Sequence, residues 1–388
     1  MGCHDRLVLP EEQTQTEAER TVIVYIAGDN SLSSAIQKDT AEMAKGKDLI
    51  PEDVNFIIFI DDNNKKNKPA IYQLSAKNGM QLWKQFDDEL CSTDAGTMLE
   101  TLQGIESHFP ARHYGITFWS HASGWVPERK FSRRNTFGKD ENVGITSSGE
   151  TEMDIPVMQK VLAQLPKSDY LFFDACFMQS IEVAYELREV TNYMVGSPAE
   201  IPGPGAPYHL IIDALCKGDA NGIVEGYGSG YPDGIYPGVL LSCIDCTQLN
   251  ALAQKTGQLL IPFYNKELDQ PSTSGFLPYC NDPTWHTHLT KYTYCYDMCT
   301  TMYNLLSERE EDYAAWMELF DRAVPLRIPH SSGSWFANFC SKPTISHPEC
   351  YGGVSMFLPL EEYNDYGWNE EFKKTSWYKA TGWQATGW

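Results

Sequence analysis

The sequence predicts an α/β protein with a mostly parallel central sheet and helices on both of its faces. Short apolar runs rich in β-branched residues are typical of buried strands, and helical segments alternate with them along the chain. The 388 residues include 42% hydrophobic and 12% aromatic residues, which allows an ordinary core and argues against disorder. We therefore expect an α/β/α sandwich, since helices on both faces would cover such a sheet.

The first half of the chain provides the clearest strands. Residues 21–27 form a continuous β-branched run that predicts a buried strand, and the turn after it leads to a helix over 32–44. Thr97 and Glu100 form a capping-box pattern that predicts a helix from there to His108. Further strands are expected at 54–60, near Ile71 and Trp83 as an edge hairpin, and at 114–120.

The second half begins after a long polar segment, 126–152, that interrupts the alternation. Helices are expected at 155–165, 180–190 and 249–264, and strands at 170–174, 193–197 and 239–244. The remainder is less regular, with helices expected at 296–307 and 312–323 and a last strand at 353–358.

The charge of the chain excludes one class of partner. Its 52 acidic and 30 basic residues give a formal net charge of −22, whereas binding to nucleic acid requires clustered Lys and Arg. No apolar run of about 18 residues predicts a transmembrane helix. The 11 cysteines are irregularly spaced, and the CxxC pair at 243–246 lacks a second pair, so we expect neither a disulfide scaffold nor a metal site.

A histidine and a cysteine follow two of the predicted strands. The run 114–120 ends at His121, and the run 170–174 leads to Cys176. Functional residues gather at the carboxyl ends of strands in an open α/β sheet, so a thiol and an imidazole could meet there as a nucleophile and its base. The backbone N–H groups of Cys176 and of Ala122, in the turn after the histidine, could then bind an oxyanion.

Two short motifs resemble those of a known peptidase family. Residues 120–125 (Ser-His-Ala-Ser-Gly-Trp) and 173–178 (Phe-Asp-Ala-Cys-Phe-Met) are similar to the two catalytic motifs of clostripain-like cysteine peptidases. Residues 181–187 resemble the helix after the nucleophile, and 197–205 resemble the loop beyond the next strand. The resemblance implies a caspase-like α/β/α sandwich, the fold of caspases and gingipains in the same clan.

The resemblance also implies a mechanism and a specificity. His121 and Cys176 would form a catalytic dyad without an obligatory third member, and cleavage would follow Arg or Lys. Asp174 matches the acid that the family places in the S1 pocket, where a desolvated P1 cation needs a carboxylate, and Glu200 on the loop after the next strand would assist. The alternative interpretation of Asp174 is a structural carboxylate at a strand end.

Two departures from the family pattern leave the P1 preference open. Ala122 stands where the family often has Gly after the histidine, and Ala206 and Pro207 stand where relatives often carry Trp nearby. The same dyad with a non-basic P1 preference is therefore one alternative function. A non-catalytic surface binding protein is the other, although an intact dyad speaks against it.

A basic loop between the two motifs is the candidate for self-cleavage. Family members are often activated by self-cleavage between the histidine and the cysteine, and an Arg- or Lys-specific enzyme would cut a basic exposed loop there. An ordinary solvated loop is the alternative. The candidate residues in 128–140 are Arg129, Lys130, Arg133, Arg134 and Lys139.

We expect no cofactor. Clostripain is calcium-dependent, and Asp61 and Asp62 follow a predicted strand where they could bind a cation. Paired acids at a strand end are more often simply solvated, so calcium is not expected to be obligatory.

The sequence also predicts the character of the N terminus and the domain boundaries. Residues 1–3 (Met-Gly-Cys) lead into a polar stretch, which is typical of a bacterial lipoprotein acylated at Cys3; a plain disordered terminus is the alternative. We expect a disordered segment at 1–20, a caspase-like catalytic domain at 21–270 and a C-terminal extension at 271–388 packed on it. Peptide or protein substrates would be met outside the cytoplasm, in the envelope or after secretion, and the oligomeric state stays open.

Overall fold

A mixed sheet of nine strands forms the centre of the part of the chain that the structure describes. The structure is a computed structural model, and it describes residues 17–125, 136–142, 152–231, 238–264, 275–279, 295–329, 333–334, 344–345 and 348–385. In chain order the strands are β1 (Ala18–Gly28), β2 (Val54–Asp62), β3 (Ala70–Ser75), β4 (Gly79–Gln85), β5 (Ala111–Trp119), β6 (Thr136–Phe137), β7 (Met153–Asp154), β8 (Ser168–Asp174), β9 (Thr191–Gly196), β10 (Leu241–Asp245), β11 (Tyr296–Asp297), β12 (Leu326–Ile328), β13 (Gly333–Ser334), β14 (Thr344–Ile345) and β15 (Ser355–Met356).

Parallel pairing occupies the middle of the sheet. The strand order is β12-β10-β9-β8-β5-β1-β2-β3-β4. Strands β9, β8, β5, β1 and β2 are parallel to one another, while β10 and β12 at one edge and β3 and β4 at the other pair antiparallel. The remaining short strands form the separate pairs β6–β7, β11–β15 and β13–β14.

Helices cover both faces of the sheet and define two cores. One face carries α1, α5 and α6, and the other carries α2, α3, α4 and α7 to α11. The helices are α1 (Ile36–Lys45), α2 (Ala95–His108), α3 (Ile155–Leu162), α4 (Ile181–Leu187), α5 (Tyr208–Lys217), α6 (Ala220–Ser229), α7 (Leu249–Tyr264), α8 (Met298–Leu305), α9 (Glu310–Ala323), α10 (Trp368–Phe372) and α11 (Ser376–Ala380).

The central strands are apolar on both sides because both sides are buried. In β1, Ile23 and Tyr25 belong to one core, whereas Val22 and Val24 belong to the other. Alternate residues of a strand point to opposite faces, so a strand between two helical layers needs a continuous apolar run. The fold class predicted from the sequence, a caspase-like α/β/α sandwich with a mostly parallel sheet, is confirmed.

Several element boundaries differ from the prediction. Asp94, not Thr97, caps α2, and its carboxylate accepts the backbone N–H groups of Gly96 and Thr97. The helix expected over 32–44 begins at Ile36, after a 3₁₀ turn at Ser33–Ala35. The strand expected at 353–358 pairs only over β15. Each difference lies at an end, where local sequence determines the boundary least.

Four described helices, α5, α6, α10 and α11, were not predicted from the sequence. Helix α6 contains Gly222, Gly226 and Gly228, a composition that indicates a loop when it is considered without its neighbours. Packing compensates for the glycines, because a Cβ at Gly226 would lie 2.8 Å from the Leu210 carbonyl oxygen in α5. The two helices therefore lie close together through their backbones, a contact that residue propensity does not reveal.

The C-terminal region contributes to the same sheet and the same core. Strand β12 pairs with β10 at the sheet edge. Trp368, Trp377 and Trp383 lie in the core that also contains Phe118 and Phe173 of the central strands. The expected boundary at residue 270 stays a prediction. Among the described residues, no helix has the length and apolar character needed to cross a bilayer.

Candidate active site

Two neighbouring strand ends bring His121 and Cys176 to the same edge of the sheet. Strands β5 and β8 are parallel partners, and Trp119 lies opposite Asp174 in their register. His121 and Cys176 each lie two residues beyond that pair. Because parallel strands present their carboxyl ends together, both residues leave the sheet at equivalent points.

The turns that follow these two residues contact each other. Gly124, in the turn after His121, has a φ of +77°, and a Cβ there would lie 2.9 Å from the Phe177 carbonyl oxygen. Phe177, directly after Cys176, has a φ of +59°, a conformation that non-glycine residues rarely adopt. A strained residue held in place beside a reactive side chain is typical of functional sites.

A loop after β9 holds the turn at Cys176. The Phe177 N–H donates to the Ala199 carbonyl oxygen at 2.9 Å, and the Ile201 N–H donates to Cys176 Sγ at 3.4 Å. Glu200 lies between these two loop residues and is buried. The loop therefore contacts the sulfur through its backbone, and the sequence carried no signal for that contact.

His121 is held by a residue that the sequence interpretation missed. Its Nε2 lies 2.8 Å from the hydroxyl oxygen of Ser31, in the turn after β1. Burial, with a smaller contribution from Lys139, lowers the pKa of His121 below its ordinary value. A neutral imidazole at neutral pH can accept a proton. The available signal was position, since β1 is the strand beside β5 and also ends at this edge.

Ala122 pairs with a short strand that returns to the site. Ala122 forms a bridge with Phe137 of β6, and the Gly138 N–H donates to the His121 carbonyl oxygen at 2.8 Å. These two contacts hold the backbone of His121 and Ala122 against β6 and the residue after it. Ala122, which the sequence suggested as an oxyanion donor, lies at the start of the turn that faces Phe177.

The described end of the basic loop is fixed to the turn after β1. Asn30 Nδ2 donates to the Lys139 carbonyl oxygen at 2.9 Å and to Ser120 Oγ at 3.3 Å. The Asp29 carboxylate accepts the backbone N–H of Asn142 at 2.8 Å and its side-chain Nδ2 at 2.6 Å. Lys139 thus lies in an anchored segment. The other cleavage candidates, Arg129, Lys130, Arg133 and Arg134, lie outside the described residues, as does Cys3.

Asp174 is a buried carboxylate below the strand end. Its Oδ2 accepts the Ala206 N–H and the Tyr208 hydroxyl, both at 3.1 Å, and its Oδ1 lies 3.5 Å from the Tyr227 hydroxyl. Burial raises the pKa of Asp174 to about 6, and these hydrogen bonds oppose the shift. The contacts suit either of the two interpretations of this residue, a specificity carboxylate or a structural one.

The paired acids at the end of β2 do not fit a shared calcium site. Asp62 is occupied by the Asn64 N–H at 2.8 Å and by Asn67 Nδ2 at 2.7 Å. Asp61 is fully buried, and adjacent residues of a strand point to opposite faces. Within the described ranges, no group of three His, Cys, Asp or Glu side chains is placed to hold a metal ion.

Cys176 differs from most cysteines that the structure describes. Cys176 and Cys295 are partly exposed, whereas the other six described cysteines are buried. Burial raises the pKa of both thiols of the CxxC pair, Cys243 and Cys246. Reactivity requires a thiolate that a substrate can reach, so the buried thiols are poor nucleophiles.

A caspase-like sandwich with a cysteine and a histidine at adjacent strand ends is the arrangement of one class of cysteine peptidases. Comparison with known proteins specifies the family. The sequence model of the Clostripain family (Peptidase_C11) matches residues 24–388. The chain belongs to the Clostripain family.

Individual relatives support this assignment at several levels. A secreted C11 cysteine protease from Bacteroides thetaiotaomicron, solved with an irreversible peptide inhibitor, is 29% identical with a TM-score of 0.75, and the match covers 95% of this chain and 100% of that chain. An inactive zymogen C11 protease from Parabacteroides distasonis is 25% identical with a TM-score of 0.76, over 95% and 99% of the two chains. Clostripain from Hathewaya histolytica is 23% identical over 224 residues, which is 51% of this chain but only 42% of clostripain.

Proposed function

We propose that the protein is an endopeptidase that cleaves after Arg or Lys, with Cys176 as nucleophile and His121 as its base. The observation that carries the proposal is the contact of the two turns, Gly124 against Phe177, at the ends of parallel neighbouring strands. This contact supports a thiol and an imidazole that act together at the sheet edge. Family membership supports the same chemistry, because the relatives are cysteine proteases.

In the proposed reaction, the sulfur of Cys176 is first the nucleophile and then the leaving group. His121 takes the proton of Cys176, and the thiolate attacks the scissile carbonyl carbon while the Ile201 N–H that donates to Sγ favours the ionised sulfur. The backbone N–H groups of Ala122 and Cys176 bind the resulting oxyanion. His121 then protonates the leaving amine, activates a water by accepting its proton, and water cleaves the thioester to release the acid and restore the thiol.

The basic P1 preference rests on Asp174 and Glu200. Asp174 lies two residues before Cys176 at the end of β8, and both acids are nearly inaccessible to solvent. A buried carboxylate favours a cationic side chain over an apolar one, because a neutral group would leave the charge unpaired.

Activation would follow a cut in the loop 128–140. Two features support cleavage at a bond before residue 136. The basic residues at 129–134 precede β6, and the segment from β6 to Asn142 is fixed to the turn after β1. A protease needs a mobile, extended segment, so the bond after Lys139 is the least suited of the candidates. The relative described as an inactive zymogen is consistent with such control.

We place the protein outside the cytoplasm, where it meets peptide or protein substrates. The support is one relative that is described as secreted and solved with a peptide inhibitor. Acylation at Cys3 would attach it to a membrane. Membrane fractions of cells that express the full chain or Cys3→Ser should then differ, with the variant released into the soluble fraction.

The decisive experiment compares peptides with Arg, Lys, Asp or Leu at P1, using the purified full chain beside Cys176→Ala. Cleavage after Arg or Lys that is lost in the variant is the expected result. Cleavage only after Asp or Leu would contradict the basic preference and favour the alternative P1 class. Silence on all four requires the assay to be repeated after nicking the loop 128–140 with trypsin.

The nicked protein separates the remaining outcomes. Activity that appears after the nick identifies a zymogen. Continued silence, with no selective labelling of Cys176 by a thiol-reactive probe, would favour the non-catalytic binding protein. The buried thiols provide the internal reference for that labelling.

A further inference from the structure

A second buried carboxylate lies beside Asp174. A Cβ built on Gly205 would lie 3.3 Å from Asp174 Oδ2 and 3.5 Å from Asp39 Oδ2, so both oxygens face one small space. Gly205 has a φ of +68°, which lets the loop pass this close. Asp39 comes from α1 and Asp174 from β8, so packing alone brings them together.

The two carboxylates are not equally satisfied. Asp39 Oδ2 accepts the Trp119 indole N–H at 2.8 Å, but Asp39 Oδ1 is buried without a hydrogen-bond partner among the described residues. The Asp39 side chain is 1% exposed, and Asp174 is 2% exposed. A buried acceptor without a donor is costly, and a charged one more so. Among the described residues, Asp39 Oδ1 is therefore the oxygen of the pair that lacks a donor, whereas Asp174 Oδ2 accepts from Ala206 and Tyr208.

The charged groups around the pair leave it short of cations. Lys38 is the cation next to Asp39 in sequence, yet its Nζ donates to the Pro204 carbonyl oxygen at 2.9 Å and pairs with Glu42 at 3.1 Å. Lys38 is about half exposed, so water screens its charge. The titratable groups that face the pair from the packed elements are Lys38 and Glu42 of α1, Tyr208 and His209 of α5, Tyr227 of α6, and Tyr231 after it.

The protonation states of Asp39 and Asp174 agree with this shortage of positive charge around the pair. Burial, followed by the charge of Asp174, raises the pKa of Asp39 to about 8, and burial raises the pKa of Asp174 to about 6. Near neutral pH the pair therefore holds about one proton and one negative charge. Burial and the charge of Asp174 both disfavour the ionised form of Asp39, so a cation that joins the pair would favour its ionisation.

We propose that Asp39 is a second specificity carboxylate of the S1 pocket, which binds the guanidinium or ammonium group of P1 at its free Oδ1 and loses its proton as that cation enters. The inference rests on the proposed function, in which Asp174 lies in S1. The proton moves to solvent, so the entering positive charge and the leaving proton balance. Arg suits the pair best, because its planar fork can donate to two carboxylates at once.

Kinetics of Asp39→Asn test the proposal. The amide oxygen can still accept from Trp119, so the variant removes charge and keeps shape. In the wild type, KM for a P1-Arg peptide should fall as pH rises from 6 to 9. At pH 9 the KM of the variant should be at least about 10-fold higher than that of the wild type. At pH 6 the two KM values should be similar, because Asp39 is already neutral there. A P1-citrulline peptide should show neither effect. Asp213→Asn, an exposed acid paired with Lys217, is the matched control.

A second measurement does not depend on how Asp39→Asn folds. Titration calorimetry of Cys176→Ala with an uncleaved P1-Arg peptide, in phosphate and in Tris at pH 7.5, counts the protons exchanged on binding. Release of up to about one proton per peptide is expected, with none for P1-citrulline. The nicked form is used if the intact chain does not bind.

The outcomes distinguish the role proposed for Asp39 from the proposed function, a peptidase that cleaves after Arg or Lys. Cleavage after Arg with no proton release and an unchanged KM in Asp39→Asn would overturn the role of Asp39 and leave the basic peptidase intact. Cleavage only after Leu or Asp would remove the basic S1 pocket and this inference together. A rise of KM for P1-citrulline equal to that for P1-Arg would show that Asp39 only supports the loop.

Discussion

The residue that holds His121 determines how its ring is presented. Ser31 Oγ lies 2.8 Å from Nε2, so in the proposed reaction Nδ1 is the nitrogen that would exchange a proton with Cys176. A hydroxyl at this point holds the orientation of the ring, and it can serve either tautomer because it both donates and accepts. Ser31 is exposed, so its removal should not disturb the core.

We expect Ser31→Ala to lower kcat about 2- to 10-fold, the equivalent of one neutral hydrogen bond, with KM nearly unchanged. Ser31→Thr, which retains the hydroxyl, should restore most of the rate. The pH dependence of kcat should shift on its acid side, because the imidazole loses a partner. Equal losses in both variants, or a loss only in KM, would show that Ser31 acts by packing.

At the scale of elements, the first turn of α4 connects the two motifs to the C-terminal region. Glu182 is buried, and its carboxylate accepts the Phe357 N–H at 2.9 Å and the Trp125 indole N–H at 3.0 Å. Trp125 follows the turn of His121, and α4 follows Cys176. One side chain therefore joins the histidine turn, the nucleophile helix and the segment after β15.

Replacing this carboxylate by an amide should weaken all three connections. Glu182→Gln presents an NH₂ group to one of two N–H donors, which leaves a buried group unsatisfied and costs about 1–3 kcal/mol of stability. Urea unfolding monitored by tryptophan fluorescence should show the loss. Glu189→Gln, an exposed acid beside Arg188, is the control, and equal stability of the two variants would contradict the role of Glu182.

The sequence was sufficient where a local pattern carries the information. Apolar runs located the central strands, and the positions of His121 and Cys176 after two of them predicted their common edge. The contacts of Ser31 with His121 and of Ile201 with the sulfur of Cys176 could not be predicted from the sequence, because each joins segments that are distant along the chain. Such contacts follow from how strands and loops pack.

The pairing of Asp39 with Asp174 shows the same limit. One acid lies mid-helix in α1, where the sequence gives no reason to single it out, and the other ends a strand 135 residues later. Only the passage of Gly205 between them reveals a shared space. The sequence predicted the acid next to the nucleophile but not its neighbour.

At the scale of the whole molecule, buried carboxylates make stability depend on pH. Burial is the main cause that raises the pKa of Asp61 to about 9, of Asp29 to about 7 and of Glu106 to about 7. In the unfolded chain these groups titrate near their ordinary values of about 4. Between those values and the raised ones the folded state binds more protons, so their stabilisation is complete below pH 4 and is lost as pH rises to about 9.

Asp61→Asn should remove a large part of this dependence, because both Asp61 oxygens are buried without partners among the described residues. We expect the variant to gain about 1–3 kcal/mol over the parent at pH 9 and little at pH 5, since an uncharged parent resembles the amide. Thermal melts at pH 5, 7 and 9 on a Cys176→Ala background prevent self-digestion, with Asp213→Asn as the exposed control. A difference between variant and parent that stays constant with pH would mean that Asp61 is ionised in the folded protein, and it would contradict the raised pKa.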